Sequence, residues 1–140
     1  NMKNIILCDL DGTVANNDHR QHFLEGKKDW DGFFEALDKD EPIYPIINKV
    51  IAENKSGREV IFLTGRPERY RETTKIWLEK YFDFKLNILM RKDNDQRNKL
   101  IIKREIFDSN FSYNEISCIY DNDQSLIEMW KSLKLRTLKV

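Results

Sequence analysis

The chain has 140 residues, 24 of them Lys or Arg and 24 Asp or Glu, so it is long enough for one domain with a buried core and carries no net charge. That balance excludes a global basic field drawing the chain to nucleic acid or an anionic membrane; any polyanion has to be held locally. Two cysteines exclude a disulfide framework or a cysteine metal cluster, no signal peptide is read, and no apolar run approaches the ~20 residues that cross a bilayer, so a reducing, cytoplasmic setting without membrane is expected.

Asn1 ahead of Met2 reads as an expression remnant, which leaves a single domain over 2–140. The first strand is expected at 4–10 (NIILCDL) and runs into Asp11, Gly12 and Thr13. About thirty residues then pass before the next clear helix, a length that points to structure and function. This stretch, about 14–41, is expected to be a short helical insertion with turns of helix near 18–25 and 30–37, too small for a separate domain. A helix follows over 43–55, with Gly57 as its C-terminal stop. The second strand is EVIFLT at 59–64. A helix starting at Pro67, a residue suited to the first helical position, carries Tyr70, Thr74, Trp77, Leu78 and Tyr81 on one face. LNILM (86–90), a helix over 96–107, ISCIY (116–120), a helix over 122–133 with Leu126, Ile127, Trp130 and Leu133 on one stripe, and LRTLKV (135–140) complete the chain.

The strands are continuously apolar, which suits strands covered on both faces. Cys8 and Cys118 lie inside them and pack as small hydrophobes, and Trp77 and Trp130 read as core residues. Strand and helix alternate, so the expected fold is α/β, a three-layer, doubly wound, Rossmann-like parallel sheet.

In such a sheet the ligand crevice lies beyond the carboxyl ends of the strands. Asp9 and Asp11 follow the first strand, Thr64, Gly65 and Arg66 the second, and Asp121, Asn122 and Asp123 the fourth. Each has a plain structural reading: Asp-Gly is a turn signal, and Thr before a helix is a common cap. Together they place three acids close enough to repel one another, which calls for a hard divalent cation such as Mg²⁺ with part of its water shell.

DLDGT after an apolar strand resembles the first motif of the haloacid dehalogenase (HAD) phosphohydrolases, and TGR at 64–66 resembles the second. A lysine near the start of a later helix and the acidic cluster YDND at 120–123 complete the usual four. Within that superfamily the chain is most similar to the 3′-phosphatase domain of phage polynucleotide kinases and related nucleic-acid repair phosphatases. The stretches that carry this are DHR (18–20), TGRPERYRETTKIWL (64–78), LMRKDNDQRNKLIIKREIF (89–107) and SLIEMW (125–130).

The resemblance implies a HAD fold that is capless or carries a very small cap insertion. It implies Mg²⁺ held by the Asp9 side chain, the Asp11 main-chain carbonyl and Asp121; Asn122 and Asp123 stand either to reach the metal through water or to orient its shell. It favours Lys103 as the motif lysine, with Lys99 as the alternative; Lys99 also stands where the relatives usually have an acid. Arg66 and Arg20 match arginines of the pattern, and a kinase or ligase partner is implied.

The chemistry demands these residue types on its own account. Asp9 is the expected nucleophile, forming an aspartyl-phosphate, and Asp11 the expected acid for the leaving oxygen and base for the water that follows. The Thr64 hydroxyl and the Gly65 N–H, at the mouth of the helix from Pro67, are expected to hold phosphoryl oxygens. A lysine, which the resemblance implies is Lys103 with Lys99 as the alternative, is expected to neutralise Asp9 and the phosphoryl group. The guanidinium forks of Arg66 and of Arg20, at the entrance, suit a phosphate. His19 reads as a partly exposed structural residue, and the loop with Asp95 and Arg97 as a solvated turn.

The expected function is a Mg²⁺-dependent phosphomonoesterase that removes 3′-phosphates from polynucleotide ends. The alternative substrate is a mononucleotide or another small phosphoester. A non-catalytic, receiver-like phospho-acceptor is less favoured, since such a module has no use for Asp11 two residues after Asp9.

Overall fold

The structure, a computed structural model, describes residues 3–140; the reading of Asn1 lies outside them. Strand β1 (Ile5–Cys8) sits at the centre of a five-stranded, wholly parallel sheet. On one side it pairs with β4 (Glu59–Pro67), which pairs with β5 (Ile88–Arg91); on the other it pairs with β6 (Ile116–Asp121), which pairs with β7 (Thr137–Lys139). The chain moves outward from β1 through β4 to β5, then returns to start again at β6. The carboxyl ends of β1, β4 and β6 therefore flank the crevice where the strand order reverses.

Alternate side chains explain the three layers. Ile6, Cys8, Val60, Phe62, Cys118 and Tyr120 point to one face and meet Ile46, Ile47 and Val50 of α2 (Tyr44–Lys55) and Trp77 and Leu78 of α3 (Arg71–Glu79). Leu7, Ile61, Leu63 and Ile119 point to the other and meet Phe107 of α4 (Lys99–Asn110) and Leu126 and Trp130 of α5 (Gln124–Ser132). Both tryptophans are core residues, each with a partner for its indole N–H: Trp77 donates to the Asp40 carbonyl at 2.9 Å, Trp130 to Asp121 Oδ2 at 3.3 Å.

Between β1 and α2 the chain closes a small lobe. The two-residue strands β2 (Ala15–Asn16) and β3 (Glu41–Pro42) pair antiparallel as its stem. The lobe holds 3₁₀ turns at Asp18–Leu24 and Leu37–Lys39 and one short helix, α1 (Trp30–Glu35), begun by Asp29, whose carboxylate accepts from Gly32 N.

Several element boundaries differ from the sequence expectation, and four have a local reason. The second helix does not start at Pro67. Arg66 precedes a proline, which disfavours helical backbone there, so β4 stays extended through Pro67, a 3₁₀ turn covers Glu68–Tyr70, and α3 begins only at Arg71. Thr64 therefore does not stand at a helix mouth. Helix α4 begins at Lys99 because Asn98 caps it, accepting from Leu100 N at 2.7 Å, and α5 begins at Gln124 because Asp123 caps it through Ser125 N and Leu126 N. The first strand is also shorter than expected, since the Leu10 carbonyl gathers the N–H groups of Thr13, Val14 and Ala15 into a tight turn.

Candidate active site

Asp9 is the first residue past β1, and its N–H still donates to the Tyr120 carbonyl, which fixes it to the end of β6. Its side chain is nearly buried. Oδ1 accepts from Lys103 Nζ at 2.7 Å and Oδ2 from Thr13 Oγ1 at 2.9 Å. Lys103 lies one turn into α4, is buried, and has Asp121 Oδ2 at 3.9 Å on its other side. Asp121 is held in turn: its Oδ1 accepts from Asn122 N and Asp123 N.

Two buried acids thus share one ammonium. Burial pushes the Asp9 carboxyl up to about 6; Lys103 opposes that, and the charge of Asp121 adds to it. Lys103 is raised, because the pull of Asp9 and Asp121 outweighs its own burial.

Asp11, two residues on, belongs to a different arrangement. Gly12 turns the chain with a φ of +82°, a conformation open to glycine, and a Cβ there would collide with the Asn122 carboxamide. Just before that turn the Asp11 carboxylate faces two buried guanidiniums. Its Oδ1 accepts from Arg20 Nη2 at 2.5 Å and from Arg66 Nη2 at 2.8 Å; its Oδ2 accepts from Arg66 Nε at 3.2 Å. Burial works to raise the Asp11 carboxyl, but Arg66 and then Arg20 overcome it and bring it down to about 2.

The two arginines are themselves anchored. Arg20 grips Asp40 with Nε at 2.8 Å and Nη2 at 2.7 Å; Arg66 reaches Asp40 at 3.4 Å and donates to Thr74 Oγ1 at 3.0 Å. The expectation of an Arg20 fork open at the entrance is corrected: its side chain is fully buried, since it lies over the Phe33 ring at 4.3 Å and between two carboxylates.

Thr64 is buried and accepts from Arg66 N at 3.1 Å, a turn within β4's end that replaces the expected helix start. Gly65 is fixed by a residue to which the sequence assigned no role: Arg91 donates to its carbonyl from Nε at 2.8 Å and, through Nη1, to the carbonyls of Asp95 and Arg97. Asp40, Thr74 and Arg91 were all invisible as site residues, because the Arg20, Arg66 and Gly65 groups they hold lie between 8 and 26 positions away. The choice between lysines is made by geometry. Lys103 meets Asp9, whereas Lys99 pairs at the surface with Asp123, which also caps α5.

Among the described residues, no three acidic, thiol or imidazole side chains close on one point. The expected crowding of three carboxylates is therefore corrected, because the arginines take the Asp11 side chain. The set that remains still fits a hard cation: the Asp9 and Asp121 carboxylates outnumber their one lysine, the donors are oxygens, and Asp11 can contribute only its main-chain carbonyl.

A family profile, the polynucleotide kinase PNKP phosphatase domain, matches residues 3–140. The chain belongs to this family. It is a HAD-type phosphatase domain of the nucleic-acid repair class, with the Rossmann-like HAD fold. A relative from Autographa californica nuclear polyhedrosis virus, named as a bifunctional polynucleotide kinase/RNA ligase, is 31% identical over 137 residues, covering 95% of this chain and 18% of its own length. Two solved structures of Pnkp1/Rnl/Hen1 complexes contain similar chains. One matches with a TM-score of 0.82 and 30% identity over 99% of this chain and 45% of the other. The second has a TM-score of 0.78 and 32% identity over 98% and 42%. The chain thus spans less than half the length of these relatives. A structure described as a β-phosphoglucomutase from Thermotoga maritima shares the fold, with a TM-score of 0.53 at 15% identity. No helix among the described residues is long and apolar enough to cross a membrane.

Proposed function

We propose that this domain is a Mg²⁺-dependent phosphomonoesterase that removes 3′-phosphates from polynucleotide ends through an aspartyl-phosphate on Asp9. The observation that carries the reading is the separation of the two acids: Asp9 faces Lys103 and Asp121 at the tips of β1 and β6, while Asp11 is held apart by Arg20 and Arg66. One carboxylate is placed to attack phosphorus and the other to handle the leaving oxygen's proton.

In this reading the Asp9 and Asp121 side chains and the Asp11 carbonyl hold the cation. When bound, Mg²⁺ supplies the positive charge that keeps Asp9 ionised and neutralises phosphoryl oxygens. Lys103 shares that task and keeps Asp9 in line, with Thr13 holding its second oxygen. The Gly65 N–H, on a backbone fixed by Arg91, binds a phosphoryl oxygen, and the Thr64 hydroxyl, whose oxygen accepts from Arg66 N, donates its O–H to another. Asp11 gives its proton to the departing 3′-oxygen and then takes one from the water that hydrolyses the acyl phosphate. A dianionic phosphate beside Asp11 raises its proton affinity from the low resting value, the direction this role requires.

The relatives, one named as a bifunctional polynucleotide kinase/RNA ligase and others found in Pnkp1/Rnl/Hen1 complexes, support work alongside a kinase or ligase. The balanced charge favours the second reading, a mononucleotide or other small phosphoester as substrate. One comparison separates the two: phosphate release from a 3′-phosphorylated oligonucleotide, its 5′-phosphorylated isomer and a 3′-mononucleotide at matched Mg²⁺. The proposal requires a clear preference for the 3′-phosphorylated oligonucleotide. Equal rates on all three would remove the repair assignment, and Mg²⁺-independent turnover would remove the metal.

A further inference from the structure

We propose that Asp40 is a positioning residue for the proton-transfer step, holding Arg20 and Arg66 so that the Asp11 carboxylate stays turned away from Asp9; this rests on the phosphatase reading above. Two guanidiniums lie buried side by side, and the Asp11 carboxylate, a quarter exposed, cannot neutralise both. Asp40, whose side chain is fully buried, supplies the second negative charge. Its carboxylate takes Arg20 in a two-point grip through Nε and Nη2, which fixes the guanidinium plane and aims the same Nη2 at Asp11. Asp40 Oδ2 also lies 3.4 Å from Arg66 Nη2, so it sits between the two groups that contact Asp11 Oδ1.

The clamp is tied to the scaffold at both ends. The Asp40 carbonyl accepts from Trp77, a core residue of α3, and its N–H donates to the Leu37 carbonyl. Phe33 supports the face of the Arg20 guanidinium, and His19 Nε2 lies 2.6 Å from Asp40 Oδ1 on the solvent side. Asp40 has no route to substrate of its own and acts through the arginines. The small lobe between β2 and β3 therefore contributes both halves of the clamp, Arg20 near its start and Asp40 at its end.

The test compares wild type with Asp40→Asn on two substrates. A 3′-phosphorylated oligonucleotide has an alkoxide leaving group that needs a proton; p-nitrophenyl phosphate has one that departs without it. A positioning role lowers kcat on the oligonucleotide by on the order of 10²-fold, with KM and the rate on p-nitrophenyl phosphate changed much less. Equal losses on both substrates, or no loss on either, would overturn the role. Where Asp40→Asn does not fold by circular dichroism, Arg20→Lys removes the two-point grip while keeping the charge, and must show the same leaving-group-dependent loss. An inactive wild type overturns the phosphatase reading and this role together, whereas an active wild type with leaving-group-independent losses overturns the role of Asp40 alone.

Discussion

Asp9 and Asp11 are separated by one leucine, yet they live in opposite electrostatic surroundings. Around Asp9 two acids share one lysine, and burial leaves its carboxyl raised to about 6. Around Asp11 two arginines face it with Asp40 behind them, and the carboxyl is brought to about 2. The first environment is built from strand tips and α4, the second from β4 and the small lobe. The first has negative charge to spare and fits a cation; the second is already balanced and fits a group that must keep a fixed orientation. Two chemically identical side chains acquire two roles because one meets Lys103 beside Asp121 while the other meets Arg20 and Arg66.

The largest expected effect falls on the Asp9 side. Asp9→Asn should lower phosphate release by at least about 10⁴-fold while leaving the circular dichroism spectrum intact. Chelation of divalent ions should produce a comparable loss that added Mg²⁺ reverses. Asp11→Asn should cost about 10²- to 10⁴-fold on a 3′-phosphorylated oligonucleotide and distinctly less on p-nitrophenyl phosphate. Equal losses would erase the difference between the two acids.

Lys103→Met sharpens the contrast through stability. It leaves Asp9 and Asp121 buried without their cation, so denaturant unfolding should show a loss of about 3–5 kcal/mol. Gly12→Ala should cost about 1–2 kcal/mol in the same measurement, because the residue sits at positive φ and its new Cβ meets Asn122. Lys99→Ala is the smallest: its pair with Asp123 is exposed, so stability should shift by less than about 1 kcal/mol and turnover stay near wild type. A loss as large as that of Lys103→Met would reverse the assignment of the two lysines.

Much of the site was legible along the chain. Continuous apolar runs announced strands buried on both faces, and acids at their ends announced a crevice, because strand ends and site residues are neighbours in sequence. Asp9 and Asp121, both read from strand ends, each lie beside Lys103. Arg20 was legible as a residue of interest but misplaced at the entrance, since its burial depends on Phe33 and Asp40. Asp40 itself sits in a polar stretch, DKDEP, that looks like any solvated loop. The start of α3 was misjudged because Pro67 suits both a first helical turn and a strand's end, and the pairing of Pro67 with Arg91 selects the second.

Residue order alone determined the parallel layers, the strand tips that hold the acids and the kind of chemistry those acids suit, because hydrophobic period and turn residues act over a few positions. Tertiary structure alone decided which way Asp11 points, which lysine meets Asp9 and what neutralises two buried guanidiniums. Those outcomes depend on charges brought together from distant segments in a medium of low polarity, where the closest partner governs orientation and proton affinity.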